Sequence, residues 1–345
     1  MTFCRSPKRA LYAAGAGVAF ALSGACPVLA QGYWQGRQIS IVVGYTPGGT
    51  YDATARLYAR FIGRYLPGAP TVVVRNMPGA GSMVAANHIY SSTTKDGTLL
   101  GIIGGNVAIE PLLSPASMKY DSRNFAWIGG RSRDNILCLV WHTVPVASID
   151  DLMKRETVVG ASGPGSRTVT NPKVLNDQIG TRLKVVSGYP GGNEITLALE
   201  KGEVEGYCGW ALGSIKQRAP HWLREGKIRP LVNFALAKTP ELPGVPLAHE
   251  LAKTDTGRQA IRFLEADSVL AWPMLAPPGV PPERVAELRE AFDRMHEDPE
   301  LKADAAKQGL EIDAVRGTEI QALVESLYRT PVDVLNYLRR INAEK

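Results

Sequence analysis

Between Gln38 and Leu66 the chain changes its rhythm. QISIVV (38–43) reads as a strand ending in the β-branched apolar run IVV, and a Pro-Gly-Gly turn at 47–49 follows it. From Thr50 to Leu66 the period is helical. Ala53, Leu57, Phe61, Ile62, Tyr65 and Leu66 share one face, and Asp52, Arg56, Arg60 and Arg64 the other. The succession then repeats. TVVVR (71–75) reads as a second buried strand, NMPGAGS (76–82) as a turn, 82–90 as a helix and TLLGII (98–103) as a third strand. ETVVGASGPGSR (156–167) runs a strand into a glycine-rich loop, with a helix over 171–179. LKVVSGYPGGNEITLALEKGEVEGYCGW (183–210) gives strand, Pro-Gly-Gly turn, helix and strand again.

Strands alternating with helices predict an α/β fold with parallel strands, and two such sets predict two α/β lobes of similar build. From 235 to 282 the chain reads as irregular and proline-rich. Beyond it the period is helical, broken at Pro299, with a last helix over about 319–341 that Pro331 kinks or splits.

The chain has 345 residues, 45% of them apolar, enough for two domains. Residues 1–30 differ from the rest: Arg5, Lys8 and Arg9 precede an Ala/Gly/Leu-rich run and a small-residue cleavage site at Val28-Leu29-Ala30. This pattern describes a secretory signal peptide, with Gln31 opening the mature chain. LSGAC also resembles a lipobox for an anchor at Cys26, but Ser23 stands where that motif wants an apolar residue. Loss of the three basic residues lowers the formal charge from +6 to +3, which is no nucleic-acid footprint.

Cys4 and Cys26 fall within the leader, leaving Cys138 and Cys208. In an oxidising compartment they could pair; as residues in apolar surroundings they could equally be two buried thiols. The histidines show no metal-ligand spacing, and no cofactor is implied.

Every loop that leaves a parallel strand and opens a helix lies on one edge of the sheet, where ligands bind. Each helix start offers unpaired N–H groups and a positive dipole end. Four glycine turns (47–49, 78–81, 163–166 and 190–192) on two facing lobes therefore suit a small anion. GASGPGSR (160–167) approaches a phosphate-binding loop but has Ser166 where the lysine belongs, and Pro164 spoils the serine-hydrolase elbow. Asp52 is placed to cap the first loop, with Arg56 as its surface partner. Arg167 could fork onto a carboxylate, and Tyr45, Tyr189 and Trp210 could wall a pocket or belong to the core.

The blocks ISIVVGYTPGGTYDATARLYA, VVVRNMPGAGS, KDGTLLGI, GYPGGNEITLALEKGEVEGYCGW and LAPPGVPPERVAELREAF, covering about 37–325, resemble the receptors of tripartite tricarboxylate transporters, the Bug-type periplasmic solute-binding proteins. The resemblance implies a two-lobe periplasmic binding protein fold of type II kind with a ligand cleft between two α/β domains. Lobe 1 would be 32–134 plus 236–345 and lobe 2 would be 135–235. It further implies a periplasmic monomer that captures a small carboxylate and hands it to transporter membrane subunits, without catalysis. The implied contacts are Pro47, Gly48, Gly49, Thr50 and Asp52 in lobe 1, and Ser162, Gly163, Gly165, Ser166, Tyr189 and Gly191 in lobe 2, with Gly79, Gly81 and Asn106 behind them. Tyr51 and Tyr207 depart from the family pattern. The alternatives are a receptor serving a sensor kinase and an exported enzyme on the same scaffold.

Overall fold

The computed structural model describes residues 32–163 and 166–343. The leader, its cleavage site, Cys26, Pro164 and Gly165 lie outside the described residues. Eleven strands are described: β1 (Gln38–Val43), β2 (Thr71–Asn76), β3 (Leu99–Ile102), β4 (Ala126–Ser132), β5 (Ile136–Trp141), β6 (Thr157–Ala161), β7 (Leu183–Ser187), β8 (Gly206–Ala211), β9 (Ile228–Phe234), β10 (Ala271–Ala276) and β11 (Val315–Arg316). They form two sheets, ordered β11-β4-β10-β3-β1-β2 and β7-β6-β8-β5-β9.

Both sheets are mixed where the alternation of elements predicts purely parallel ones. In the first, β1 pairs parallel with β2 and β3, and β10 runs antiparallel between β3 and β4. In the second, β6 pairs parallel with β7 and β8, and β5 runs antiparallel between β8 and β9. The physical reason is the connection: β5 and β10 are the first strands after the chain passes from one sheet to the other, and each enters its new sheet reversed.

Three further features differ from the sequence reading. The run 71–75 is an edge strand of exposed and half-buried residues, because β2 has a neighbour on one side only. The stretch 235–282 contains a helix, Asp255–Glu265, and β10, a fully buried central strand. Pro273 masks β10 in the sequence, since proline withholds a ladder N–H. The strand accommodates it beside a register shift at Met274/Leu275, and the Pro273 carbonyl still accepts from the Ile103 N–H.

Helices cover both faces of each sheet. On the first, Leu57, Tyr58 and Phe61 of the Thr50–Phe61 helix meet Ile39, Ile41 and Phe292, and on the other face Met83, Ala86 and Ile89 meet Val42 and Trp127. On the second, Ile195 and Leu199 pack with Leu139 and Trp210, and Val174 and Leu175 with Cys138 and Val232. Each such side chain contributes about 1.5–3 kcal/mol of apolar burial. The helices Asp255–Glu265 and Val332–Ala343 pack through Ile261 and Leu338 into the Val174 and Leu175 cluster of the second sheet. Cys138 and Cys208, opposed in register on β5 and β8, form a disulfide.

Candidate functional site

The loops that follow β1, β6 and β7, together with residues of β8 and of the Leu212–Arg218 helix, enclose a cavity of about 70 Å³ whose lining includes Gly49, Thr50, Ser162, Ser166, Gly192 and Tyr207. Three helices begin at its wall: Thr50–Phe61, Arg167–Ile179 and Gly192–Lys201. Their N-cap residues, Gly49, Ser166 and Gly191, make no side-chain cap hydrogen bond. Helix starts whose N-cap side chain makes no bond, at three positive dipole ends around one cavity, form an environment for an anion.

The first loop is held from behind. Gly48 has φ of 79°, a left-handed conformation that favours glycine. The Asp52 carboxylate, buried one turn below, accepts the Gly48 N–H at 2.9 Å, Arg56 Nε at 2.9 Å and Asn76 Nδ2 at 3.0 Å. Asn76 Nδ2 also donates to the Tyr45 carbonyl at 3.0 Å, tying the end of β2 to the end of β1. Burial by itself raises the Asp52 carboxyl, but the hydrogen bonds from Arg56, Gly48 and Asn76 outweigh it and hold the pKa below the ordinary aspartate value.

On the opposite side, Ser166 Oγ donates to the Gly163 carbonyl at 2.8 Å, and the Ser162 N–H donates to Thr168 Oγ1 at 3.0 Å. The second glycine loop is thereby closed on its own helix start. Arg167 Nε donates to the Gly209 carbonyl at 2.9 Å, which fixes the guanidinium at the wall.

The two sides already touch. Asn193 Nδ2 donates to the Pro47 carbonyl at 3.3 Å, and Thr50 Oγ1 donates to Gln217 Oε1 at 3.1 Å. Arg218 holds Asn193 Oδ1 from the far side. A Cβ at Gly81 would stand 2.9 Å from Ser166 Cβ, and one at Gly191 would stand 2.9 Å from Thr46 Oγ1. The glycines therefore set how closely the two bodies approach. Where the chain first crosses between sheets, half-buried Asp134 accepts the Asn135 and Gly213 N–H groups. Desolvation pushes its carboxyl up to about 6.

The model for the tripartite tricarboxylate transporter family receptor matches residues 58–330. The chain belongs to this receptor family. A Cupriavidus necator protein described as UPF0065 is 26% identical over 288 residues, covering 80% of this chain and 79% of its own length. The periplasmic binding protein BugD is similar in structure, with TM-score 0.70 and 20% identity over 90% of this chain and all of that one, 100%. A Rhodopseudomonas palustris protein with adipate gives TM-score 0.69 and 22% identity over 90% and 98% of the two chains. MatC of the same organism, with bound malate, gives 0.66 and 20% over 89% and 99%. At these identities the likeness concerns the fold, which is the two-lobe periplasmic binding protein architecture that the motifs imply.

In this receptor the structure brings most of the expected residues together. Gly49, Thr50, Ser162 and Ser166 line the cavity, and Pro47, Gly48 and Gly191 lie at its rim against Asn193 or Thr46. Gly81 and Gly163 face Ser166 and Ala80 across the interface, and Asn106 holds the Gly81 carbonyl at 3.1 Å. Asp52 acts through the loop. Gly79 is not among the lining residues, and its Cβ position abuts Val84. Tyr189 is absent from the lining too: half-buried, it packs beside Gly160 and the Ile195 cluster. Sequence reasoning missed Thr46, Asn76, Asn193, Gln217 and Arg218. Only Asn76 carried a signal, standing at the end of a strand just before a Pro-Gly turn. Among the described residues no group of three or more His, Cys, Asp or Glu side chains is placed to hold a metal ion, and no helix is long and apolar enough to cross a membrane.

Proposed function

We propose that this receptor captures a small carboxylate by closing its two lobes and presents it to the membrane subunits of a tripartite tricarboxylate-type transporter. The observation that carries the reading is the convergence of three helix starts, at Gly49, Ser166 and Gly191, on one cavity, none of them closed by a hydrogen bond from its N-cap side chain. A carboxylate accepts several N–H donors in a plane and leaves again, which a transport receptor requires. Arg167 and Arg218 line the cavity, and none of its described lining residues is acidic; Glu194 stands beside Gly191 in the first turn of the third helix. The malate and adipate held by similar structures are of this chemical class.

The lobes we assign are 32–134 plus 236–345 and 135–235, with the helices Asp255–Glu265 and Val332–Ala343 reaching across to brace the second sheet. Contacts to the ligand come from Pro47, Gly48, Gly49 and Thr50 on one side and from Ser162, Gly163, Ser166 and Gly191 on the other, with Asp52 positioning the first loop. The mature protein starts at Gln31 and acts in the periplasm as a monomer that makes and breaks no bond. Native mass spectrometry of the purified receptor, followed by calorimetry with mono-, di- and tricarboxylates, tests this. A co-purified acid in one-to-one ratio is expected; turnover of any acid, or binding of none, refutes it.

A further inference from the structure

The two edges of the second sheet are finished differently. At β9 the chain covers its own edge: the Asn233 N–H donates to the Pro246 carbonyl at 3.0 Å, and Asn233 bridges in parallel to Leu247. At the other end β7 has β6 as its single ladder partner. The Arg182 carbonyl accepts the Thr157 N–H at 3.0 Å, so Arg182, Lys184 and Val186 turn their backbone groups toward β6, and Leu183, Val185 and Ser187 turn theirs outward. Leu183 is closed by a side chain that imitates a strand. Asn176 Oδ1 accepts its N–H at 2.9 Å, and Asn176 Nδ2 donates to its carbonyl at 2.8 Å. Among the described residues neither a strand nor a side chain does the same for Val185 and Ser187.

Val185 and Ser187 line a groove of about 1020 Å³ that shares no residue with the cavity between the glycine loops. The Arg167–Ile179 helix separates the two, giving its start to the cavity and Val169, Lys173 and Asn176, along one flank, to the groove. The rest of the apolar lining comes from the first sheet's side, from Met83 and Val84 of the Met83–Tyr90 helix and from Met118. Val84 is a large apolar side chain left 45% exposed. Lys173, Arg182 and Lys184 line the groove against Glu156, which pairs with Lys184 at 3.3 Å, while Glu110 is sunk to 2% exposure. The open rim is therefore positive.

We propose that this groove docks an extended, acidic segment of a partner protein, which adds to β7 as a sixth strand of the second sheet. Such a segment supplies what Val185 and Ser187 lack, alternating carbonyl acceptors and N–H donors along one line. Its apolar side chains meet Met83, Val84 and Met118, and its carboxylates meet Arg182 and Lys173. A second copy of this chain is a poor occupant, because β7 against β7 would bring Arg182 and Lys184 up to their own likes. Lined from both sides of the molecule, the groove lets one docked segment touch both lobes at once, which suits a partner that acts on the closed receptor.

The test is fluorescence anisotropy on the full mature chain with a labelled, amidated pentapeptide of alternating glutamate and valine. Two counterparts accompany it, one N-methylated throughout and one with lysine in place of glutamate. The expected result is saturable binding of the first with a Kd of about 10–100 µM, slowed amide exchange at Val185 and Ser187, and binding of both counterparts weaker by about tenfold or more. Ser187→Pro withdraws one outward N–H at an exposed edge position that proline tolerates, and should weaken the pentapeptide about fivefold at an unchanged thermal midpoint. Arg182→Glu, as a second variant, should weaken it by a similar factor and flatten its salt dependence. Equal binding of the N-methylated peptide would mean that its carboxylates alone are held, which overturns the added strand and leaves the carboxylate reading standing. Absence of saturable binding up to about 1 mM, or two variants without effect, overturns the docking site.

Discussion

Gly191→Ala separates closure from folding. Gly191 has φ of −170° and ψ of −174°, extended backbone that alanine adopts freely, so the substitution adds no backbone strain to the separated lobes. In the closed arrangement the new methyl would stand 2.9 Å from Thr46 Oγ1 and 3.3 Å from Glu194 Oε2. Ordinary carbon–oxygen contact needs about half an ångström more, and Thr46 belongs to the other side of the cleft. Overpacking costs about 1–3 kcal/mol. Thr46 can rotate about χ1, which sets the expectation at the lower end, about 1–1.5 kcal/mol, or a five- to twelvefold rise in Kd. The loss should fall on the dissociation rate, since the first encounter with one open lobe is untouched. Calorimetry and stopped-flow dissociation with the tightest carboxylate read both. The thermal midpoint without ligand should stay within about 2 °C of wild type. Unchanged affinity would show that the Thr46–Gly191 approach is no part of the bound state.

Asn193→Ala removes the hydrogen bond to the Pro47 carbonyl and frees Arg218, and should weaken carboxylate binding about three- to tenfold without altering the denaturation midpoint. Asp52→Ala removes the acceptor of the Gly48 N–H and one of the two acceptors of Asn76 Nδ2, both part-buried bonds. Urea unfolding should show a loss of about 1–2 kcal/mol at pH 7. The Asp52 pKa is lowered in the folded state, so its contribution is present above the ordinary aspartate value and disappears as pH falls through the lowered one. The difference between wild type and variant should accordingly narrow below about pH 4. Cys138 and Cys208 lie 70 residues apart, and for a loop of that size chain entropy gives about 4 kcal/mol as an upper value. Reduction with dithiothreitol should lower the urea midpoint, and a Cys138→Ala/Cys208→Ala variant should be insensitive to the reductant.

Strand, glycine turn and helix were legible where one short segment contains the whole cause. Ile41, Val42 and Val43 are buried on both faces of β1 and so read as an apolar run, and Gly48 favours glycine for its own φ. Asn193, Gln217 and Arg218 could not be read as site residues. Asn193 and Gln217 act on Pro47 and Thr50 across more than 140 residues of chain, Arg218 acts through Asn193, and no local pattern encodes which loops will face each other. TVVVR was misread as buried because an apolar run does not say whether its strand has one neighbour or two. Tyr189 sits one residue from a glycine turn, as a ligand contact would, yet its ring packs into the core beside Gly160. Pro273 obscured β10 for a different reason: the sheet tolerates a missing N–H only because the pairing shifts next to it.

Glu265 is a buried titratable group with a readable consequence. It lies in the crossover between the second sheet and β10, fully buried, with His249 Nδ1 2.8 Å from its Oε2. Burial pushes the carboxyl up to about 8 and draws the His249 imidazole below its ordinary value, so at pH 7 both are neutral and the protonated carboxyl donates to Nδ1. A carboxyl raised on folding binds a proton that the unfolded chain has already lost. Stability therefore falls as pH rises from the unfolded value toward 8 and levels off beyond it. Below pH 6.5 His249 and His296 act in the opposite sense, since burial lowers both and they charge more readily when unfolded. The clean window is pH 7 to 9, over which a shift of this size gives a loss of about 1.4 kcal/mol. Urea unfolding at pH 7, 8 and 9 should show it, and Glu265→Gln, which keeps a donor toward Nδ1, should be flat over the same range. A flat wild type together with a strongly destabilised Glu265→Gln would mean that the two groups form an ion pair, and the assignment of neutral partners would be wrong.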